Sequence, residues 1–554
     1  MDLKAALRGT LKGDVTDAAD ERAKYAHDTS LFERTPSLVV YPKDADDVSV
    51  LVKTIHDAKA SGDDVSVTAR SAGTDMSGGP LTRSVVAVFT KYMNTVEVRD
   101  DSAYTEPGAY YRDFEKETLK KGLLLPSYPA SRSIAAMGGI VNNNSGGERT
   151  LEYGKTERYI EEVDVVLSDG TKTTFKALGP DELVEKKALP GLEGDIYRGM
   201  SDLILKNREL IDEHKPLVSK NSAGYALWNV FDTEHGTFNL AKLICGAQGT
   251  LALMTRAKLS LIRPKEHRAM LVIYLPSSHG KSKLELLPEI VHRVLPENPE
   301  SFESYDDHTL SLAVKFLPQM LSQMGLLRAI RLGISFIPEV ITAAAGGIPK
   351  LILMAEFAED TREEAERRAH AAYDALRDLN LPMRIEKDEK ASEKFWIVRR
   401  ESFALLRKNL KGLYAAPFID DFVVPPDTYP EFLPELATLM EEYKDRMIYT
   451  VAGHIGNGNF HIIPLMDLSS PETKKVVMEL APRVYDLVLK HGGTTTGEHN
   501  DGIIRTPYLE KQFGTDMVRL FAETKKIFDP LTIFNPGKKV GGTFEDIERD
   551  MLRK

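Results

Sequence analysis

The 554-residue chain is almost without cysteine: Cys245 is its only one, and that scarcity excludes two classes of protein. A single thiol cannot form an intrachain disulfide framework or supply the ligands of an iron–sulfur cluster. The neighbours Ile244 and Gly246 indicate that Cys245 is a small buried hydrophobe. Because the N-terminus also lacks the apolar stretch of a secretory signal, we expect a protein of the reducing cytoplasm.

Positive charge is also in short supply, since the formal net charge is −11. A general nucleic-acid-binding protein needs a basic surface that neutralises phosphates, so we expect no nucleic-acid partner. Long apolar runs are missing as well, and none reaches the roughly 18 residues that span a bilayer.

One region, residues 309–342, is rich in Leu, Ile and Met and carries few, mostly basic charges. Such a stretch is able to lie on an anionic membrane surface, which would make the protein peripheral at the inner face of the membrane. Helices packed against the body of the protein have the same composition. We favour that second interpretation because apolar helical stripes are usually core.

Hydrophobic patterning divides the chain into two halves of different style. Up to about residue 265, short strands such as 38–41 and 85–89 alternate with helices such as 48–58. Further along, strands at 269–274 and 351–357 flank a long helical insert. We predict an α+β fold with more than one domain, as expected for this length. Its parts are a two-part domain at 1–265 (subdomains about 1–65 and 66–265), an antiparallel-sheet substrate or cap domain at 266–500 with a helical insert at about 281–345, and a C-terminal segment at 501–554 that packs back on the first domain.

Three histidines and a carboxylate lie in two short glycine-rich segments near the C-terminus. His454 and His461 flank a Gly-Asn-Gly-Asn turn between strand-like runs, which predicts a hairpin, and Glu498 and His499 follow in the second segment. The turn lets both hairpin histidines face one point, and imidazole with carboxylate suits a borderline divalent ion such as zinc. His499, near its usual pKa, would then be free to move a proton. Hydrogen-bonded loop histidines are the other interpretation, and spacing alone does not decide between the two.

Two further glycine-rich segments occur in the first half of the chain. Residues 70–79 follow a strand and offer consecutive backbone N–H groups, which is typical of a concave site for phosphate oxygens. The pattern is neither G-x-G-x-x-G nor a Walker sequence, so it does not predict a nicotinamide site or a P-loop. Residues 137–147 add a second run of small residues against which a large flat ligand is able to lie.

The two glycine-rich segments resemble those of a known family. Residues 67–79, VTARSAGTDMSGG, look like the pyrophosphate loop of FAD enzymes of the vanillyl-alcohol oxidase/p-cresol methylhydroxylase type. The second flavin-binding stretch of that family is similar to Pro129-Ala-Ser131, Gly138-Gly139, Asn144-Ser-Gly-Gly147 and Tyr153-Gly154. Gly246-Ala-Gln-Gly-Thr250 resembles the family's Gly-Ser-Glu-Gly-Thr, with Ala247 and Gln248 as departures.

The C-terminal motifs resemble one branch of the family, the D-2-hydroxyacid dehydrogenases, which include D-lactate dehydrogenase and the glycolate oxidase large subunit. The motifs are His454-Ile-Gly-Asn-Gly-Asn-Phe-His461, Gly497-Glu-His499, Phe528-Asp-Pro530 and Asn535-Pro-Gly-Lys538. The resemblance covers the chain from about residue 14 to 538, and motifs in this order are specific.

The resemblance implies a non-covalent FAD, because covalent relatives have histidine where this chain has Thr74. The FAD contacts that it implies are Arg70, Ser71, Ala72, Gly73, Thr74, Asp75, Ser77, Gly78, Pro129, Ser131, Gly138, Gly139, Asn142, Asn143, Ser145, Gly146, Val163 and Asn535.

The resemblance also assigns roles in catalysis. His454, His461 and Glu498 match the family's ligands for a divalent metal, with zinc favoured and manganese or iron as other candidates, and His499 matches its proposed base. Arg399 matches an arginine that grips the substrate carboxylate. From its neighbours Arg400 and Glu401 alone, Arg399 would instead be interpreted as part of a surface ion pair.

The function implied is oxidation of a small D-2-hydroxy acid, such as D-lactate, to the 2-oxo acid. The electrons would then pass to an acceptor that the sequence does not identify: a quinone, a cytochrome, an electron-transfer flavoprotein or oxygen. Two alternatives stay open, namely an FAD enzyme of the same fold acting on another alcohol and a non-catalytic or membrane-docked electron-transfer flavoprotein.

The C-terminal part of the chain departs from the family pattern at three further places. Asn457 stands where aspartate is usual, and Asn500-Asp501-Gly502 replaces Gly-Ile-Gly. Residues 418–425 contain no lysine of the kind that binds the second carboxylate in hydroxyglutarate enzymes, which argues against a dicarboxylate substrate.

Overall fold

The computed structural model describes residues 2–275, 277–278, 281–307, 349–409 and 412–551. The apolar region 309–342 lies outside the described residues, so the expectation of a membrane contact there stays a prediction. No helix in the described part of the chain combines the length and the apolar character needed to cross a bilayer.

A small mixed sheet begins the fold. Its strands, in spatial order, are Asp14–Thr16, Leu38–Tyr41, Val85–Val88 and Val67–Arg70. Leu38–Tyr41 and Val67–Arg70 both run parallel to Val85–Val88. The helix Ala45–Ala60, capped by the Asp44 carboxylate, packs on the sheet and buries its valines. The sheet therefore extends past residue 65, near which the sequence pattern suggested a subdomain boundary.

An antiparallel sheet follows and forms the second part of the first half. Its strands, in spatial order, are Val96–Arg99, Ser102–Thr105, Leu253–Ser260, Ile160–Val166, Lys172–Leu178, Thr237–Asn239 and Phe231–Asp232. The helices Gly191–Lys206 and Leu509–Phe528 share its buried core. Near the C-terminus, Val67 N donates to Ile533 O at 2.7 Å and Asn535 N donates to Val67 O at 3.0 Å. The C-terminal segment is thus attached to both sheets of the first half.

The second half is built on a larger antiparallel sheet. Its strands, in spatial order, are Met383–Glu386, His267–Leu275, Leu351–Glu359, Ser301–Asp306, Ile448–His454, Asn459–Met466 and Tyr414–Ala415, and Phe422–Val423 also pairs with Asn459–Met466. The strand Ser301–Asp306 falls inside the insert expected to be helical. Its sequence, SFESYD, is mostly polar although all six residues are buried, so hydrophobic patterning did not reveal it.

Helices cover both faces of this sheet. One face packs against Leu287–Val294, Arg362–Ala375, Tyr429–Glu441 and Pro471–Lys490. The other face packs against Glu389–Asn409, whose Phe395 and Trp396 contact the sheet. The shorter helices of the described chain are Leu3–Arg8, Ala19–Lys24, Tyr111–Leu119, Met137–Asn142, Thr150–Tyr153, Pro180–Ala188, Arg208–Glu213, Ala241–Ile244, Gly502–Arg505 and Phe544–Asp550.

A buried ion pair joins three distant segments where the halves meet. Lys539 Nζ lies 2.9 Å from Asp501 Oδ2, and both side chains are 0% exposed. Lys539 Nζ also donates to Ser222 O at 2.8 Å and Gly224 O at 2.6 Å. Gly224 N donates to Asp501 Oδ2 at 2.9 Å. Lys539 Nζ and Asp501 Oδ2 are therefore both bonded to main-chain groups as well as to each other.

Replacing Lys539 by methionine should lower the free energy of unfolding by about 3–5 kcal/mol, because Asp501 is left as a buried charge without its partner. Denaturant unfolding followed by tryptophan fluorescence measures the change. The control is Lys511→Met, since Lys511 forms an ion pair with Asp486 in which both side chains are about half exposed. That variant should lose no more than about 1 kcal/mol. Equal losses in the two variants would contradict the assignment.

Candidate functional site

The hairpin Ile448–His454 and Asn459–Met466 places His454 and His461 on one face of the large sheet. Its register pairs Ala452 with His461, and Ala452 lies two residues from His454 and so on the same side of the strand. The two rings are 5.2 Å apart between centroids. The tight turn between them needs Gly458, which has φ +72° and whose Cβ would lie 1.8 Å from Val424 O. The expected convergence of the two histidines is what the structure shows.

Glu498 and His499 reach the same place on a loop that Asp421 organises. Asp421 Oδ2 accepts hydrogen bonds from Thr496 Oγ1 at 2.6 Å, Glu498 N at 2.8 Å and His499 N at 2.7 Å. Asp421 itself has φ +70° and is 0% exposed. One oxygen of this carboxylate therefore holds the backbone of the loop, and the Glu498 and His499 side chains are left to face the cavity described below.

The ligand atoms of His454, His461 and Glu498 all lie within 4.8 Å of one another. His454 Nε2 is 3.3 Å from Glu498 Oε1, and His454 Nδ1 donates to Glu303 Oε1 at 2.5 Å. Glu498 also accepts a hydrogen bond from the fully buried Lys220. A carboxylate on the far nitrogen of an imidazole is the arrangement that orients histidine ligands in metal sites. The three groups therefore fit a divalent cation.

Asp420 contacts the other two imidazoles at once. Its Oδ1 lies 3.0 Å from His461 Nδ1 and its Oδ2 lies 2.7 Å from His499 Nδ1. The rings of His461 and His499 are stacked, with centroids 5.3 Å apart and planes inclined by 29°. Arg505 Nη2 donates to Asp420 O at 2.6 Å and steadies the main chain here.

The charges of this cluster shift several pKa values. Burial alone would lower the pKa of His499, but the carboxylates of Asp421 and Asp420 outweigh it and raise that pKa to about 9. Burial would raise the pKa of Glu498, yet Lys220 and His454 hold it well below its usual range. The pKa of His499 is thus above the ordinary value on which its expected role relied. A bound cation would act on it in the opposite direction.

Arg399 lies in the helix Glu389–Asn409 and points to the same cluster. Its Nε is 3.2 Å from Glu303 Oε2, while the other oxygen of Glu303 holds His454. Among the described residues its terminal nitrogens take no further partner, and its side chain is only 14% exposed. The neighbouring Arg400 pairs with the buried Glu148, to which its Nε donates at 3.0 Å. The surface-pair interpretation of Arg399 is therefore not what the structure shows.

A cavity of about 420 Å³ connects this cluster with the two glycine-rich segments. Its lining includes Arg399, His454, His461, Glu498 and His499 at one end. From the residues expected to contact FAD it includes Ser71, Ala72, Gly73, Thr74, Asp75, Pro129, Ser131, Gly138, Gly139, Asn142, Asn143, Ser145 and Gly146.

The first glycine-rich segment is a loop whose backbone N–H groups face the cavity. Among the described residues, those from Ala72 to Met76 donate to no protein acceptor. The carbonyls are turned the other way, since Thr29 N donates to Asp75 O at 2.9 Å and Thr29 Oγ1 to Thr74 O at 3.0 Å. Successive free N–H groups of this kind form an anion-binding concavity.

The second segment differs from the expected loop, because its first part is the short helix Met137–Asn142. The side chains of Ile140 and Val141 in this helix are buried. Asn142 Nδ2 donates to Gly138 O at 2.9 Å, which favours the helical turn. A Cβ on Gly139 would meet nothing within 4 Å, because that side of the helix borders the cavity. Gly139 therefore leaves room for a ligand, whereas a Cβ on Gly138 would lie 2.3 Å from Ser71 Oγ.

The remaining residues expected to contact FAD lie behind the cavity wall. The Arg70 guanidinium donates to His27 O at 2.6 Å beneath Gly73. Asn535 Nδ2 donates to Gly79 O at 3.0 Å and to Gln248 O at 2.8 Å. Ser77 and Gly78 are buried next to Ile503, and Val163 is a core residue of the second sheet. These residues therefore support the cavity lining from behind.

The residues that depart from the family pattern make hydrogen bonds of their own. Asn500 Nδ2 donates to Gly246 O at 2.9 Å, and Gly502 N donates to Gln248 Oε1 at 2.9 Å. A Cβ on Gly502 would lie 2.3 Å from Ser77 O, and its φ is +51°. Asn457 O accepts a hydrogen bond from Ser219 Oγ at 2.7 Å. The residues that replace Gly-Ile-Gly therefore connect the histidine loop to the first half of the chain.

Sequence reasoning missed several residues of the site. They are Thr29, Lys220, Gln248, Gly249, Met254, Glu303, Asp420 and Asp421. One signal was available: Asp420 and Asp421 are adjacent carboxylates between the apolar pairs Phe418-Ile419 and Phe422-Val423, and charged residues are almost never fully buried unless they are paired.

Comparison with protein-family models matches residues 36–176 to an FAD binding domain and residues 281–539 to the C-terminal domain of FAD linked oxidases. Among curated proteins, D-2-hydroxyglutarate dehydrogenase of Pseudomonas putida is 26% identical over 544 residues, 97% of this chain and 51% of the relative. The chain thus spans about half the length of that relative. D-lactate dehydrogenase of Archaeoglobus fulgidus is 25% identical over 526 residues, 93% of this chain and 96% of the relative.

Solved structures give the same picture at the level of fold. p-Cresol methylhydroxylase with bound substrate matches with a TM-score of 0.67 at 16% identity, over 98% of this chain and 97% of that one. Alkyldihydroxyacetonephosphate synthase matches with a TM-score of 0.64 at 16% identity, over 97% of this chain and 84% of that one.

The ligand cluster generates a prediction about cation content. Protein purified with zinc should retain about one divalent cation per chain, and His461→Ala should retain little, as measured by plasma mass spectrometry. Lowering the pH should release the cation, because imidazole must be deprotonated to bind it. The control is His235→Ala, since His235 is exposed and pairs with Asp232 outside the cavity. Equal cation content in both variants would remove the assignment.

Proposed function

Because the chain belongs to the FAD linked oxidases and shares its fold with p-cresol methylhydroxylase, we propose that it oxidises a small D-2-hydroxy acid to the 2-oxo acid. The family and the α+β fold expected from the sequence are confirmed by the matches to both family models and to the solved structures. The observation that carries the proposal is that one cavity holds both the free N–H groups of residues 72–76 and the cluster of Arg399, His499 and the histidine–glutamate ligand set.

The residues present fit FAD. The free backbone N–H groups of residues 72–76, called the N–H nest below, would hold the pyrophosphate. The open side of Gly139 leaves room for a flat ring beside the helix Met137–Asn142. Thr74 offers no imidazole for a covalent bond, which supports non-covalent binding. Bound FAD would supply an acceptor for the two electrons and the hydrogen that leave the substrate carbon.

The residues present also fit a divalent cation, with zinc favoured by the mixture of imidazole and carboxylate. His454, His461 and Glu498 would hold it, and the carboxylates of Glu303 and Asp420 orient the two rings. When bound, the cation would polarise the hydroxyl and carboxylate oxygens of the substrate.

Arg399 binds and orients the substrate. Its Nε is taken by Glu303, so its two terminal nitrogens present a fork to a carboxylate. Glu303 also holds His454, and this common anchor sets the distance between the carboxylate grip and the ligand cluster. Holding the hydroxy acid at both points directs its Cα hydrogen towards one face of the site.

His499 takes the hydroxyl proton at Nε2. Its Nδ1 faces Asp420 Oδ2, so Nε2 is the nitrogen left for the cavity, which His499 lines. The pKa of about 9 set by Asp421 and Asp420 makes it a strong proton acceptor once it is deprotonated. Positive charge at the neighbouring ligand set lowers that pKa towards neutrality.

The lining favours a substrate with a single carboxylate. Among the described residues that line the cavity, the arginines are Arg399 and Arg400, and no lysine lines it. Arg400 is neutralised by Glu148, to which it donates from Nε at 3.0 Å. A second carboxylate on the substrate would thus compete with Glu148 for its partner, which supports a D-lactate-like acid over a hydroxyglutarate-like one.

Anaerobic reduction of the flavin by a substrate panel tests the proposal. D-lactate and similar D-2-hydroxy monocarboxylates should bleach the flavin absorbance in stopped-flow mixing, and L-lactate and D-2-hydroxyglutarate should do so at least tenfold more slowly. Bleaching by phenols or other alcohols but by no hydroxy acid would indicate another FAD enzyme of this fold. A flavin that no alcohol reduces would indicate a non-catalytic electron-transfer protein, and either result would overturn the proposal.

Replacing His499 by glutamine should leave FAD content unchanged and slow flavin reduction about 10²- to 10⁴-fold, because proton transfer from the hydroxyl loses its acceptor. FAD content is read from the absorbance ratio and the rate from single-turnover mixing. The control, His370→Gln, changes an exposed histidine of the helix Arg362–Ala375 and should react at the normal rate. A His499→Gln rate close to that of the control would remove the assignment of the base.

A further inference from the structure

Among the described residues, Asp420 is the carboxylate that contacts the imidazole rings of both a proposed metal ligand, His461, and the proposed base, His499. Its two oxygens are divided between them, Oδ1 at 3.0 Å from His461 Nδ1 and Oδ2 at 2.7 Å from His499 Nδ1. Its side chain is fully buried, and it does not line the cavity that both histidines line. We propose that Asp420 is a positioning residue that fixes the tautomer and direction of His461 and His499 together, which rests on the proposed function of that site.

The hydrogen-bond chemistry of a carboxylate fixes the tautomer of both rings. An ionised carboxylate only accepts hydrogen bonds, so each imidazole must donate to it from Nδ1. Each Nε2 is then left as the atom for the cavity. Binding a cation and accepting a proton both need a free lone pair on that nitrogen. One carboxylate therefore prepares two rings for two different tasks.

The two rings are also anchored at the same end, because both Nδ1 atoms lie against the two oxygens of Asp420. The rings are stacked, with centroids 5.3 Å apart and planes inclined by 29°. Because both rings are hydrogen-bonded to one carboxylate, a displacement of Asp420 moves the metal ligand His461 and the base His499 together. The distance between the cation and the proton acceptor is thereby maintained.

Asp420 itself is held in place by hydrogen bonds to its main chain and to its neighbour. Its carbonyl accepts from Arg505 Nη2 at 2.6 Å, and Arg505 is fully buried and also donates to Asn500 O at 3.0 Å. The next residue, Asp421, holds the loop that carries Glu498 and His499. Asp420 is therefore attached through the main chain to the same loop whose base it orients.

A direct role of Asp420 as a cation ligand is the competing interpretation, since its oxygen lies within 4.8 Å of ligand atoms of His461 and His499. Both of its oxygens already accept from imidazole N–H groups, and Asp420 is enclosed behind the rings rather than exposed to the cavity. The geometry thus assigns it to the support of the ligands.

Asp420→Asn separates the two roles because an amide has one accepting atom and one donating group. The amide oxygen accepts from one ring, and the NH₂ group forces the other ring to carry its proton on Nε2. We expect either the cation affinity, measured by chelator competition, or the flavin reduction rate at saturating zinc to fall about 10- to 100-fold. Asp420→Glu, which keeps two accepting oxygens, should recover at least part of the loss. An Asn variant that keeps both quantities within about threefold would overturn the proposal.

Double variants distinguish positioning from direct ligation and from general damage. In a His461→Ala background, Asp420→Asn should cause little further loss of cation affinity, and in a His499→Gln background it should cause little further loss of rate. Full additivity in both backgrounds would show that Asp420 acts independently of the histidines and would overturn the proposal. The cation measurement needs no substrate, so it judges Asp420 even if no hydroxy acid reduces the flavin.

The matched control is Asp550→Asn. Asp550 is also a buried aspartate that accepts hydrogen bonds from several side chains, those of Arg34, Arg83 and Arg549. Arg34 Nε lies 2.7 Å from Asp550 Oδ2, and none of these residues lines the cavity. It should leave both the cation affinity and the flavin reduction rate unchanged. Losses equal to those of Asp420→Asn would show that any buried aspartate has this effect, which would also overturn the proposal.

Discussion

Compensation of buried charge is the constraint on which the rest of the site depends. Glu303, Asp420, Asp421 and Glu498 are all nearly or fully buried, and an ionised carboxylate is stable there only if partners replace water. Imidazoles, backbone N–H groups and the buried cation Lys220 provide that replacement. Each compensating contact also fixes a direction, so the arrangement that makes the charges tolerable is the one that aims the histidines and Arg399 into the cavity.

The same contacts join the two halves of the chain. The loop that carries Glu498 and His499 continues into Asn500, Asp501 and Gly502, whose partners are Gly246, Lys539 and Gln248. These three partners belong to the first half or to the C-terminal segment that packs on it. The cluster on the large sheet is thereby set at a defined position relative to the N–H nest at residues 72–76. A cavity shared by both follows from this attachment, not from either half alone.

Much of the fold could be predicted from local sequence patterns. The strand Leu38–Tyr41, the helix Ala45–Ala60 and the hairpin with Gly458 at its turn all follow from apolar spacing, a capping aspartate and turn glycines. The strand Ser301–Asp306 was missed because most of its residues are polar, although all of them are buried near the site. The helix Met137–Asn142 was missed because its glycines suggested a loop, whereas they leave space for a neighbour.

The sequence by itself determined the types of donor that the site contains: three imidazoles, a glutamate, an arginine and two glycine-rich segments, in an order typical of one family. Only the tertiary structure decided which of their atoms face one another. Nδ1 of His499 faces Asp420, one oxygen of Glu303 serves Arg399 and the other serves His454, and Asp421 is kept from the cavity by three hydrogen bonds. The physical reason is that these partners are far apart along the chain, up to 151 residues between His454 and Glu303, so no local pattern contains both members of a pair.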